Sequence, residues 1–150
     1  MATEPGFPRK ILMVRLSALG DVLFGLPALE ALARALPAAE ISWLAEEKTR
    51  QIVERHPRLA RTLLFPRAAL AREFARPWLW PRALLRLARH VAALRAERYD
   101  AVLDLQGNLK SGFQVLLARS KRKIGFERRG ARELAWLFYR ERIDPGPEGM

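Results

Sequence analysis

The chain has no cysteine and only two histidines, His56 and His90. Those absences exclude disulfide scaffolds, thiol nucleophiles, iron–sulfur clusters and the usual structural zinc sites. No stretch approaches the roughly 18 uninterrupted apolar residues of a membrane-spanning helix. The opening residues MATEPGFPRK lack the apolar segment behind a basic start that marks a secretory leader, so a soluble cytoplasmic protein is expected. Nucleotide fingerprints are missing too. No G-x-G-x-x-G follows the first apolar run, and although Gly107 and Gly112 have P-loop glycine spacing, Phe113 and Gln114 stand where its Lys and Ser/Thr belong. Internal repeats and low-complexity segments are absent.

What is present is a 150-residue chain, half of it hydrophobic, with a formal charge of +11. That length suits one domain with a core of its own. The charge is uneven: residues 1–57 are neutral, residues 58–98 carry ten Arg against Glu73 and Glu97, and residues 119–142 carry nine basic groups against three acidic ones. Arginine makes up 22 of the 27 basic residues, and its planar fork suits phosphate and carboxylate. An anionic partner follows, with nucleic acid, an anionic membrane face and a phosphorylated small substrate all open. Arg in place of Lys also follows from a GC-rich coding sequence.

Short apolar runs alternate with amphipathic ones. Lys10–Leu16 reads as a strand, Ser17–Asp21 as a tight loop, and VLFGLPALEALARAL as a helix that Pro27 either kinks or delays. Strands are expected at 41–45, 61–65, 99–105 and 123–126, and helices at 48–56, 82–97, 109–118 and 132–139. Residues 66–81, with three prolines, Trp78 and Trp80, read as a surface loop. In the 82–97 helix the pattern puts Leu84, Leu85, Leu87, Ala88, Val91, Ala92 and Leu94 on the buried face and Arg82, Arg86 and Arg89 outside. The tryptophans do not interleave with basic residues as in single-strand binders, so Trp43, Trp78, Trp80 and Trp136 are assigned to packing. Alternation of strand and helix gives an α/β fold, a Rossmann-like parallel sheet with helices on both faces. Ligands of such sheets bind at the carboxyl ends of the strands.

Gly20 and Asp21 therefore draw attention. Gly20 lets a backbone approach a ligand closely. Asp21, at the mouth of a helix, is either the helix cap or a general base. Lys110 follows the expected fourth strand, placed to meet an anionic substrate or simply to sit in solvent.

Four segments carry a family resemblance: KILMVRLSALGDVLFGLPAL, ISWLAEEKTRQIVERHP, YDAVLDLQGNLKSG and IGFERRGARELAWLFYRERI. In that order they resemble the N-terminal half of the lipopolysaccharide heptosyltransferases, glycosyltransferase family 9, over about Lys10 to Ile143. The double Glu and the His-Pro pair are most similar to the type I enzymes, which add the first heptose to Kdo on lipid A.

The resemblance implies the N-terminal domain of a two-domain GT-B architecture, with residues 1–9 as an extension, 10–143 as the acceptor-side domain, 144–150 as an irregular tail, and the donor domain outside this chain. Alone, the domain is expected to be nearly inactive. It implies inverting, metal-independent transfer from ADP-heptose without a cofactor, with Asp21 as catalytic base and Gly20 near the donor phosphates. Arg15, Lys110 and Arg132 match positions associated with the acidic acceptor, and Arg72 and Arg76 fall in the family's basic loop. The implied partners are ADP-heptose, Kdo-lipid A and the anionic inner face of the bacterial inner membrane, with no nucleic acid. The competing reading is a non-catalytic basic module that binds an anionic surface.

Overall fold

The computed structural model describes residues 6–144 and 146; most of the expected tail and the start of the N-terminal extension lie outside them. Six strands form one sheet: β1 (Lys10–Val14), β2 (Glu40–Glu46), β3 (Leu59–Phe65), β4 (Arg98–Asp104), β5 (Arg119–Phe126) and β6 (Glu141–Ile143). Their order is β3-β2-β1-β4-β5-β6, and every neighbouring pair is parallel. The direction of winding reverses between β1 and β4, so their carboxyl ends flank a natural crevice.

Side-chain alternation along the strands divides the core in two. Leu12 and Val14 of β1 face Leu94 and Val115 on one side of the sheet, from α4 (Trp80–Ala96) and α5 (Leu109–Leu117). Met13 faces the other side with Ile41, Trp43, Val22 and Leu29, under α1 (Leu19–Ala35) and α2 (Glu47–Val53). The expected fold class stands: a Rossmann-like α/β layer structure. Among the described residues no helix is long and apolar enough to cross a membrane.

Several local expectations are corrected. Residues 66–81 form helix α3 (Arg67–Phe74) and a 3-10 turn at Pro77–Leu79. Each proline sits at an element's start, where its missing N–H costs nothing: Pro66 precedes α3, Pro77 opens the turn, and Pro81 is the second residue of α4. Pro27 does not delay α1, which runs through it. Strand β5 begins at Arg119, four residues early, because backbone pairing to β4 continues beneath charged side chains. The 132–139 helix is replaced by a 3-10 turn at Ala135–Phe138, since Glu133 and Leu134 take positive φ of 53° and 62°, and β6 follows it.

The inner side of α4 is also reassigned. Its buried residues are Ala83, His90 and Leu94, while Leu84 and Leu85 face solvent. His90 belongs inside because both ring nitrogens have partners: Nδ1 lies 3.2 Å from the Leu64 carbonyl and Nε2 2.6 Å from Gln114 Oε1. Arg86 turns toward α3 for the same kind of reason, gripping the buried Glu73 carboxylate with Nε at 3.0 Å and Nη2 at 2.8 Å.

Candidate functional site

The crevice at the ends of β1 and β4 is a cleft of about 530 Å³, whose walls include Arg15, Ser17, Asp21, Gln106, Arg129 and Arg132. A cavity of similar size, about 570 Å³, lies at the strands' opposite ends beside Arg98, Asp100 and Lys121, away from the winding reversal.

Asp21 is the third residue of α1, not its N-cap; the cap position is held by Ala18. Its Oδ2 accepts the Ala18 amide at 3.2 Å, and its Oδ1 lies 3.5 Å from Arg15 Nη2. The carboxylate is thus oriented from two sides, yet its side chain is 52% exposed and open to a ligand. Beside it, a Cβ built on Gly20 would meet nothing within 4 Å, so packing does not explain that glycine and open space adjoins the helix mouth.

The loop bearing Asp21 is fastened from below. Trp43 Nε1 donates to the Arg15 carbonyl at 3.1 Å, and its ring packs on α1 so closely that a Cβ on Gly25 would come within 2.9 Å of it. Gln106 Oε1 accepts the amides of Leu16 and Ser17 at 2.7 and 3.2 Å. Arg15 Nη1 donates to the Leu105 carbonyl. β1 and β4 therefore hold one another's terminal loops by side-chain contacts as well as by strand pairing.

Asp104 organises the second loop. Its Oδ1 accepts the Gln106 and Gly107 amides at 2.8 and 3.0 Å, and its Oδ2 accepts the Tyr139 hydroxyl at 2.7 Å. Gly107 takes a φ of +70°, a conformation glycine supplies without strain. Burial pushes the Asp104 carboxyl above its ordinary range, against the pull of these hydrogen bonds. Burial and the adjacent carboxylate likewise push the Tyr139 phenol up. Asn108 then caps α5, with Oδ1 accepting the Ser111 amide at 3.0 Å.

Lys110, in the first turn of α5, does not project freely. Its Nζ donates to Glu46 Oε1 at 2.5 Å and to Ser17 Oγ at 2.9 Å. Arg132 lies across the cleft, its amide bonded to the Gly107 carbonyl at 2.6 Å. The structure thus brings Arg15, Asp21 and Arg132 into the walls of one crevice, with Gly20 next to Asp21 in α1, while Lys110 does not line it and reaches it only through its hydrogen bond to Ser17. Arg72 and Arg76 lie apart, around Glu73 with Arg82 and Arg86, beside a smaller hollow of about 370 Å³. Sequence reading missed Gln106, Asp104 and Glu46 as positioning groups; a carboxylate or amide closing an apolar strand was the available signal. It also missed Arg129, which faces the cleft but carries no distinctive spacing. Among the described residues no group of three His, Asp or Glu side chains could hold a metal ion.

This arrangement offers a half-exposed carboxylate able to take a proton, next to guanidinium groups able to hold an anion. The fold superposes on the solved structure of the Escherichia coli heptosyltransferase WaaC with ADP-2-deoxy-2-fluoro heptose, with TM-score 0.83 and 31% identity over 93% of this chain and 43% of that one. Lipopolysaccharide heptosyltransferase 1 of E. coli K12 is 35% identical over 131 residues, 87% of this chain and 40% of that protein. The Pseudomonas aeruginosa protein of that name is 37% identical over 135 residues, again 87% of this chain and 36% of its own length. The model of glycosyltransferase family 9 (heptosyltransferase) matches residues 87–149.

By these matches the chain is similar to members of glycosyltransferase family 9. The family model takes in the Asp104 loop, Lys110 and Arg132, whereas Asp21 precedes it. The chain spans about 40% of the length of the curated relatives it matches.

Proposed function

We propose that this chain forms the acceptor side of an inverting heptosyltransferase, which moves heptose from ADP-heptose to the Kdo residue of the lipid A inner core. The observation that carries the reading is the Asp21 carboxylate, held by Arg15 and the Ala18 amide yet open to the crevice at the winding reversal. Asp21 takes the proton of the acceptor hydroxyl. The freed oxygen bonds to the anomeric carbon of heptose as the bond to the ADP oxygen opposite breaks, so the configuration inverts. A positioned base of this kind contributes about a hundredfold to ten-thousandfold in rate.

Arg15 and Arg132 neutralise the acidic acceptor. Lys110 is already neutralised by Glu46, so it contributes a directed hydrogen bond and not net charge. Open space beside Gly20 suits the donor phosphates. Because the curated relatives are longer, the donor nucleotide is assigned chiefly to a second domain across the cleft. Arg72 and Arg76 face the phosphorylated acceptor at the anionic inner surface of the inner membrane, where the protein docks from the cytoplasm.

The test is a transfer assay on the enzyme that contains this domain, with ADP-heptose and Kdo-lipid A. Release of ADP matched by heptose on the acceptor is expected. Binding to the glycolipid without any ADP release would favour a non-catalytic basic module.

A further inference from the structure

The turn that follows β5 sorts its three arginines. Arg128 is drawn over the Trp136 ring, its guanidinium carbon 5.7 Å from the ring centre. Arg129 and Arg132 line the crevice that also holds Asp21. The family resemblance assigns Arg132 to the acceptor and gives Arg129 no role.

The turn is rigidly built. The Glu127 carbonyl accepts the Gly130 and Ala131 amides at 2.9 Å each, and the Arg132 amide donates to the Gly107 carbonyl at 2.6 Å. Beneath it Phe126 packs on Gly107 so closely that a Cβ there would come within 2.8 Å of the ring. The turn is therefore fastened to the Asp104 loop, and both guanidinium groups extend from a fixed backbone.

The charges of the crevice do not cancel. Arg15 lies 3.5 Å from Asp21, and Lys110, which reaches the crevice only through Ser17, is met by Glu46 at 2.5 Å. Glu133, the acidic neighbour of Arg132, is turned away, its Oε2 accepting the Leu109 amide at the start of α5 at 3.3 Å. Among the described residues, no carboxylate forms an ion pair with Arg129 or Arg132. Two uncompensated cations in one cleft wall concentrate an anionic ligand there. A carboxylate, with two oxygens in a plane, can take one planar guanidinium on each side. The donor phosphates are placed on the other wall, beside Gly20 of α1, so the anion that meets the β5 turn belongs to the acceptor.

We propose that Arg129 is an acceptor-binding and specificity residue, which with Arg132 clamps the carboxylate of the acceptor sugar and thereby selects an acidic sugar over a neutral one. The inference rests on the acidic acceptor proposed above and names the residue that reads its charge.

The test pairs a change in the protein with a change in the acceptor. The enzyme containing this domain is assayed with de-acylated, water-soluble Kdo-lipid A and with the same acceptor carrying its Kdo carboxylate as the primary amide. Arg129→Gln should raise the KM for the acid acceptor about tenfold or more, as loss of a charge-assisted hydrogen bond does, without raising the KM for ADP-heptose. On the amide acceptor the same variant should shift KM by less than about twofold. Arg129→Lys, which keeps the charge and loses the fork, should recover part of the loss on the acid. An equal loss on acid and amide would overturn the proposal, as would an unchanged acceptor KM or a rise confined to the KM for ADP-heptose. Calorimetric titration of the 150-residue chain with the two acceptors reads the same clamp without a donor. Wild type should bind the acid more tightly than the amide, and Arg129→Gln should lose most of that preference, whereas a preference that survives would overturn the clamp. Absence of heptose transfer by the wild-type enzyme would fail the proposed function, and this titration would still decide the role of Arg129.

Discussion

Lys110 reaches from the first turn of α5 to the end of β2, where its Nζ meets Glu46 Oε1 at 2.5 Å. The two side chains are 25% and 11% exposed, so the pair is largely out of water, and the cation sits where a helix N-terminus disfavours it. Glu46 removes that conflict. Through Ser17, the same ammonium also braces the loop that leads to Asp21.

Removing one partner of a buried pair leaves the other charge uncompensated, which costs about 3 to 5 kcal/mol. Glu46→Gln is therefore expected to destabilise the domain by about 3 kcal/mol, lowering the thermal midpoint by roughly 10 °C. Calorimetric unfolding measures it. A change below about 1 kcal/mol would show that Lys110 finds other compensation.

Gln106 joins two loops through one oxygen, accepting both the Leu16 and Ser17 amides. Gln106→Leu leaves two amides without that partner at about 1 to 3 kcal/mol and loosens the approach to Asp21. Loss of alignment at a reacting group costs on the order of a hundredfold in rate. The expected signature is a lowered kcat with KM little changed, whereas an effect on KM alone would make Gln106 a binding residue.

Burial raises the Asp104 carboxyl above its unfolded value, so the folded state holds this proton more tightly. The sign follows: this group's contribution favours folding most at low pH and is lost as pH climbs from the ordinary carboxylate value through the raised one. Glu73, Glu97 and Glu141, held low chiefly by hydrogen bonds from Arg86, Lys10 and Arg122, change stability in the opposite sense. Asp104→Asn keeps an acceptor for the Gln106 and Gly107 amides and removes the titration. Urea unfolding over the mildly acidic range should show its stability gaining on wild type as pH rises. A constant difference across that range would contradict the shift.

Much of this was legible in the sequence. The apolar runs of β1 and β4 and the Leu-Gly-Asp loop between β1 and α1 located the crevice, because strand ends in an alternating α/β chain are where ligands bind. The misreadings have physical causes. Three prolines suggested a loop at 66–81, but each falls where a helix or turn begins. Leu84 and Leu85 looked like core because helical spacing does not say which apolar face is covered, and the pairings of His90 and Arg86 decide it. Gln106 and Glu46 gave no pattern of their own, since their roles depend on contacts across 90 and 64 residues of chain.

The central claim is that the Asp21 carboxylate is the base, and Asp21→Asn in the enzyme containing this domain tests it most directly. Asn keeps the side chain's size and can still accept the Ala18 amide, so the fold should survive, as a thermal midpoint close to wild type would verify. Under saturating ADP-heptose and acceptor, heptose transfer is expected to fall a hundredfold or more, in line with a general base's share of the rate. Transfer within about threefold of wild type would contradict the account.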